Sequence, residues 1–342
     1  MAELSERAQR LMQPHLRSIE PYDPNFTPTR INLSANENTH PLPPRVQAAV
    51  DQALAATPLN RYPDPMSGEL RNLIAAYAGV AREQVCMGNG GDELLYNFLL
   101  AFGGRGRQVL ICPPCFTEYA FFAQLTETNV RAVGRDPRTF ELDEESLITC
   151  ARTSDLVIVT SPNNPTGDLA DPGLIQRVCR ACRGLVMVDE AYIEFAGKDA
   201  SAAPLLDHLD NLVILRTLSK AFGAAGARCG YVLAAPDVIE AFSAIRQIYS
   251  LNVLTQAAAR ALLRARAELA PVVSGIVVER ERLQRRLAAL PNAVVWPSRA
   301  NFLLVRLPNA STVRTRLRDE HSILVRDFSP TAGLEDCLRL SV

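Results

Sequence analysis

Four segments carry residue types able to do chemistry together. In Thr217-Leu218-Ser219-Lys220-Ala221-Phe222-Gly223 a lysine ends an apolar run, and Arg228 follows eight residues on. An amine at the end of a buried strand can be desolvated, which lowers its pKa and suits it to Schiff-base chemistry. The chain has only two lysines, Lys198 and Lys220, and Lys220 is the one flanked by Ser219 and Arg228. In Val188-Asp189-Glu190-Ala191-Tyr192 an acid emerges from an apolar run. Such an acid can bind a metal, cap a helix or pair with a buried cation. Gly88-Asn89-Gly90-Gly91-Asp92-Glu93 puts glycines ahead of a helical stretch opening at Asp92. Bare amides at a helix N-terminus bind anions, phosphate above all. Ser161-Pro162-Asn163-Asn164-Pro165-Thr166-Gly167 closes a further apolar run in turn-forming residues. Singly, these read as a surface lysine, a helix cap, a glycine turn and a loop. A ligand with one phosphate, one ring nitrogen and one aldehyde would use all of them, and pyridoxal phosphate has those parts.

These loops need a scaffold that brings them together. Short apolar runs at 108–114, 129–135, 156–162, 185–192, 211–219 and 229–235 read as strands, several buried on both faces. Helical stretches lie between or beside them, at Asp92–Phe102, Phe116–Leu125, Gly173–Arg183 and Pro236–Tyr249. That alternation predicts an α/β fold with a mainly parallel central sheet flanked by helices. Ligands of such sheets bind outside the carboxyl ends of the strands, where the four segments fall. From about residue 240 the texture changes. A helical stretch runs from Thr255 to Leu290, interrupted near Pro271. Strand-like pieces follow at 293–297, 301–307, 322–328 and 337–342. We expect an N-terminal arm at 1–30 with Leu4, Leu11 and Leu16 as its apolar points. A large domain at 31–240 and a small α+β domain at 241–342 would follow.

Composition narrows the function classes. Lys+Arg 36 against Asp+Glu 37 gives a net charge of −1, which offers no footprint for nucleic acid or an anionic membrane. Anionic ligands must therefore be held by local arginines. No apolar run is long enough to span a bilayer, and the charged start lacks the apolar stretch of a signal peptide, so a cytoplasmic location is expected. Cys112-Pro-Pro-Cys115 and Cys179-Arg-Ala-Cys182 have zinc-knuckle spacing. The first pair ends an apolar strand and the second lies on an amphipathic helix, so buried reduced thiols are expected and no metal. The glycine loop lacks the G-x-G-x-x-G spacing of dinucleotide folds.

The chain resembles the fold-type I, pyridoxal-phosphate-dependent aminotransferases, and within them the histidinol-phosphate aminotransferases. The resemblance runs from about Pro21 to Leu340. It rests on Asn36-Glu37-Asn38, Arg61-Tyr62-Pro63-Asp64, GNGGDE, CPPCFTEY, SPNNPTG, VDEAYIEF, RTLSKAFGAAGARCGY, Asn301-Phe302 and Arg339. It implies that Lys220 carries the cofactor and moves the proton, with Asp189 on the pyridine nitrogen and Tyr192 and Asn164 on the ring hydroxyl. Gly91, Asp92, Ser219 and Arg228 would hold the phosphate, and Phe116 would stack on the ring. The family usually has threonine and tyrosine where Cys115 and Phe116 stand, so stacking survives but the phenol does not. Tyr62 would reach the cofactor of the other subunit in a homodimer with shared active sites.

For substrates, the resemblance implies Arg339 as the carboxylate fork, Arg326 as a second guanidinium for a phosphate, and Tyr22, Asn36 and Asn164 beside them. The implied donor is histidinol phosphate and the acceptor 2-oxoglutarate. Other aminotransferases, a threonine-phosphate decarboxylase and a non-catalytic binding or regulatory protein share this fold. Members of the family continue past the equivalent of Arg339 with a turn and a helix, where this sequence reaches Val342.

Overall fold

The structure is a computed structural model describing residues 5–17, 19 and 27–342. Leu4 and Tyr22 lie outside the described residues. The helices are α1 (Glu6–Leu11), α2 (Pro44–Ala55), α3 (Gly68–Ala78), α4 (Gly91–Phe102), α5 (Glu118–Leu125), α6 (Glu144–Ala151), α7 (Pro172–Ala181), α8 (Pro236–Ile245), α9 (Val253–Arg264), α10 (Ala270–Ala288) and α11 (Ala310–His321). The strands are β1 (Ile31–Asn32), β2 (Val85–Gly88), β3 (Gln108–Ile111), β4 (Asn129–Ala132), β5 (Leu156–Thr160), β6 (Leu185–Asp189), β7 (Leu212–Thr217), β8 (Gly230–Ala234), β9 (Val294–Val295), β10 (Phe302–Arg306), β11 (Ile323–Leu324), β12 (Arg326–Asp327) and β13 (Cys337–Ser341).

Seven strands form the large sheet, in the order β2-β8-β7-β6-β5-β3-β4. The pairs from β4 through β7 are parallel, and β8 runs antiparallel to both β7 and β2. The reversal at β8 follows from its connection. No crossover helix lies between Thr217 and Gly230, only a 3₁₀ turn at Ala225–Ala227, so the chain turns straight back beside its own strand. Val157, Val159, Val186, Val188, Leu212 and Ile214 join one apolar cluster. Ile158, Met187, Val213 and Leu215 join the other, on the opposite face. Burial on both faces is what the unbroken apolar runs encode. β4, by contrast, is an edge strand with three of its four residues exposed, and it stops at Ala132 rather than continuing to residue 135.

In the C-terminal half the helical stretch is interrupted near Pro271 as expected, while the end of α8 and the run 322–328 depart from expectation. The helical stretch breaks at 265–269, and Pro271 sits in the first turn of α10, where its missing N–H costs nothing. α9 packs on α2 and α3 and gives Ala258, Ala259, Leu262 and Leu263 to an apolar cluster that also holds Ile276, Ala300 and Phe302. The run 322–328 is two strands. β11 pairs in parallel with β1, whereas β12 pairs antiparallel with β13 in the small sheet β12-β13-β10-β9. Ile31 and Asn32 are thereby tied to the C-terminal elements. α8 ends at Ile245, because Arg246 is extended, and α5 begins at Glu118. Among the described residues no helix is long and apolar enough to cross a membrane.

Candidate active site

The carboxyl ends of β3, β5, β6 and β7 open on one cavity of about 590 Å³, which the start of α4 and residues of the small sheet complete. Lys220, Asp189, Tyr192, Asn164, Ser219, Gly91, Asp92, Phe116, Arg228, Asn36, Arg326 and Arg339 all line it.

Asp189 closes β6 and is buried. Its Oδ1 accepts from the Ala191 N–H at 3.0 Å and its Oδ2 from the Tyr119 hydroxyl at 2.7 Å. Burial pushes its carboxyl up to about 6, against those two donors, which pull it down. Tyr192 is also buried, and its hydroxyl accepts from Asn36 Nδ2 at 3.1 Å. Asn36 sits at φ 55° and is held in turn by Asn301, whose Nδ2 donates to its carbonyl at 3.0 Å. The Lys220 ammonium donates to the Ala35 carbonyl at 3.1 Å and lies 5.7 Å from the Tyr192 ring centre.

At the other end of the cavity, α4 starts with no side-chain cap, so its first amides are open. Gly90 has φ 88°, and a Cβ there would run into the Arg228 guanidinium. A Cβ on Gly230 would come within 2.6 Å of the Gly90 carbonyl carbon. The Arg228 Nη2 donates to Asp92 Oδ2 at 2.9 Å, and Thr217 Oγ1 donates to Ser219 Oγ at 2.9 Å. An uncapped helix N-terminus, an arginine and a hydroxyl in one corner make a phosphate cradle. A buried carboxylate and a lysine complete the donor set across the cavity. Pyridoxal phosphate, which the sequence resemblance implies, fits these residues.

The small sheet supplies the facing wall. Arg326 and Arg339 are direct cross-strand partners in the β12–β13 register. The Arg339 Nη1 donates to Asn164 Oδ1 at 2.5 Å and its Nη2 to the Ser34 carbonyl. Its guanidinium lies 5.5 Å from the Phe302 ring centre and 5.4 Å from that of Phe328. Side chains directly opposite on a strand pair share a face, so this register presents both guanidiniums to the cavity they line.

One expected residue stays away from the cavity. Tyr62 is 81% exposed and stacks on Tyr249 at 4.6 Å, both on the outer surface. Cys112, Cys179 and Cys182 are buried and all eight cysteines are free thiols. Sequence reasoning missed Tyr119 and Thr160, which contact Asp189 directly or through one hydroxyl, and the buried pair Glu190–Arg216. The Arg216 Nε donates to Glu190 Oε2 at 2.9 Å and its Nη2 to Ser201 Oγ at 2.7 Å. A signal for Tyr119 was available: it stands three residues after Phe116 in CPPCFTEY, close to one helical turn on.

The family model for aminotransferase class I and II matches residues 28–342. The chain is 36% identical over 335 residues to a histidinol-phosphate aminotransferase of Caldanaerobacter subterraneus subsp. tengcongensis, covering 98% of this chain and 94% of that protein. It is 40% identical over 327 residues to a histidinol-phosphate aminotransferase of Thermococcus gammatolerans, covering 96% and 91%. The crystal structure of histidinol-phosphate aminotransferase from Sinorhizobium meliloti in complex with pyridoxal-5'-phosphate matches with a TM-score of 0.87 and 27% identity, over 97% of this chain and 93% of that one.

Proposed function

This chain belongs to the class I and II aminotransferase family, and on that premise we propose that it moves the amino group of histidinol phosphate to 2-oxoglutarate in histidine biosynthesis. The products are imidazole acetol phosphate and glutamate. It is a pyridoxal-phosphate-dependent enzyme. The bound cofactor supplies an electron sink for the carbon that bears the amino group. Lys220 Nζ carries the proton to and from that carbon. Asp189 holds a proton at the ring nitrogen, and Tyr192 and Asn164 hold the ring hydroxyl. Phe116 stacks on the ring. The Gly91 and Asp92 amides, Ser219 and Arg228 bind the phosphate.

The observation that carries the substrate reading is the cross-strand pairing of Arg326 with Arg339. Histidinol phosphate has CH₂–O–phosphate where glutamate has its α-carboxylate. Arg339 meets the anion common to both, and Arg326 adds the charge and reach that a dianionic phosphate needs. Asn36 belongs to the same binding face in this reading, and the family resemblance adds Tyr22 as a substrate residue. Removing a charge-assisted hydrogen bond costs ~1.5–3 kcal/mol, roughly tenfold to over a hundredfold. Arg326→Ala should therefore lower kcat/KM for histidinol phosphate by about that factor and hurt glutamate less, while Arg339→Ala damages both. Single-turnover kinetics of each half-reaction decide it, and equal losses in the Arg326 variant would remove the assignment.

The working unit in this reading is a homodimer, in the cytoplasm. Free thiols support that location. An exposed Tyr62, turned away from its own chain's cavity, supports a role in the partner's site. Mixing Tyr62→Phe subunits with Lys220→Ala subunits tests it. A shared arrangement leaves one intact site per heterodimer, so activity returns on mixing. Confirmed heterodimers without recovery would contradict the sharing.

A further inference from the structure

We propose that Tyr119 is a positioning residue: its hydroxyl fixes and charges the Asp189 carboxylate, so that this acid can hold a proton-bearing ring nitrogen. The inference rests on the pyridoxal phosphate reading of the cavity and not on the identity of the substrate.

The argument is one of donor and acceptor counting. An ionised carboxylate only accepts, and a phenol has one proton to give. The Tyr119 proton is therefore spent on Asp189 Oδ2 at 2.7 Å, a charge-assisted distance. Thr160 Oγ1, at 2.8 Å from the same phenol oxygen, must then be the donor to it. Protons point one way along Thr160, Tyr119 and Asp189. Both ends of this relay are pinned, because Thr160 and Asp189 are partners in the β5–β6 register. The middle is pinned too. Tyr119 is wholly buried and meets Phe116 edge-on at 5.6 Å. Burial and the neighbouring carboxylate keep its phenol well above its ordinary range, so it remains a donor.

With Oδ1 on the Ala191 amide and Oδ2 on Tyr119, the carboxylate plane is set while acceptor capacity remains for the cavity it lines. Burial alone would push Asp189 toward its neutral form, which has no negative charge to keep a proton on the ring nitrogen. The phenol opposes that. Other titratable groups around the pair are Asp92 at the start of α4, Glu190 next to Asp189, and Cys115 ahead of α5. Tyr192 and Lys220 stand across the cavity.

The test is the affinity of the full-length, cofactor-stripped protein for pyridoxal phosphate, measured by absorbance titration from about pH 5 to 8. Tyr119→Phe keeps the ring and removes the hydroxyl. It should weaken binding roughly tenfold near neutrality. It should also move the acid-side midpoint of the affinity profile to higher pH, since the lost donor favoured the ionised carboxylate. Thr160→Val leaves the tyrosine in place and should move the midpoint the same way by less, which keeps the test open where the phenylalanine variant does not fold. Ionisations of the cofactor itself are common to parent and variants and cancel in the comparison. A purely structural tyrosine would change the melting temperature without moving the midpoint. Parent-like affinity and midpoint in the folded variants would overturn the inference. A parent that binds no pyridoxal phosphate would instead overturn the cofactor reading and this inference with it.

Discussion

The floor of the cavity and its facing wall are built from different charges. On the floor, built by β6 and β7, charge is answered inside the protein. Asp189 has its two donors, and Glu190 is met by Arg216 and Ser201 beneath it. On the wall, built by the small sheet, two guanidiniums are brought into register with each other. The groups that hold Arg339 include an amide oxygen, a backbone carbonyl and two ring faces. The difference teaches where each kind of energy resides. A floor whose charges are compensated by protein groups sets stability and proton positions. A wall that brings two guanidiniums into one register suits the anion binding proposed for it.

The strongest test of the floor is Lys220→Ala. Loss of a residue that is both nucleophile and proton carrier should lower amino transfer by about 10⁴-fold, read as steady-state turnover. Borohydride treatment of the cofactor-loaded parent should leave a pyridoxyl adduct on Lys220, and an adduct mapped to Lys198 would break the comparison at its root. Next comes Arg216→Met, which leaves Glu190 buried without its cation, on the Ser201 hydroxyl and the Ala202 amide alone. It should cost about 3–5 kcal/mol in denaturant unfolding.

A pH-dependent effect follows from the same layer. Burial holds the Glu194 carboxyl at about 7, against 4.5 for an ordinary glutamate, and Tyr77 donates to it at 3.2 Å. As pH rises between those values the unfolded chain gives up a proton that the folded chain keeps. Stability therefore falls over that window and stays lower above it. Glu194→Gln removes the loss, so it should be more stable than the parent by roughly 1–3 kcal/mol near pH 8, with the gain gone below about pH 4. Thermal melts across pH would show it, and a gain that grows on acidification would be the wrong sign. The smallest effect belongs to the wall. Arg326→Ala should lower unfolding free energy by no more than about 1 kcal/mol, the scale of a part-exposed ion pair. A large stability loss there would erase the contrast between the two regions.

Much of the floor was legible before any coordinates. Continuous apolar runs at 156–162, 185–192 and 211–219 mark buried parallel strands, and the structure ends those strands at Thr160, Asp189 and Thr217, beside the cavity. Lys220 and Asp189 stand out this way because each sits where an apolar run ends, whereas Asn164 and Arg228 take their roles from the family resemblance. The wall was less legible. Its strands are two to five residues long, too short for alternation to show, and 322–328 reads as one strand although its halves join different sheets.

The amino-acid sequence by itself determined the strands, the order of the loops and the chemical types they present, because these follow from neighbours a few residues apart. Only the tertiary structure decided that Tyr119 meets Asp189, that Arg216 is buried against Glu190, and that Arg326 faces Arg339. Those pairings join segments 13 to 70 residues apart. Nothing in local periodicity records a contact across such a distance. It is set when the sheets close and register, and a slip of one residue would turn the strand-borne Asp189, Arg216, Arg326 and Arg339 to the opposite face.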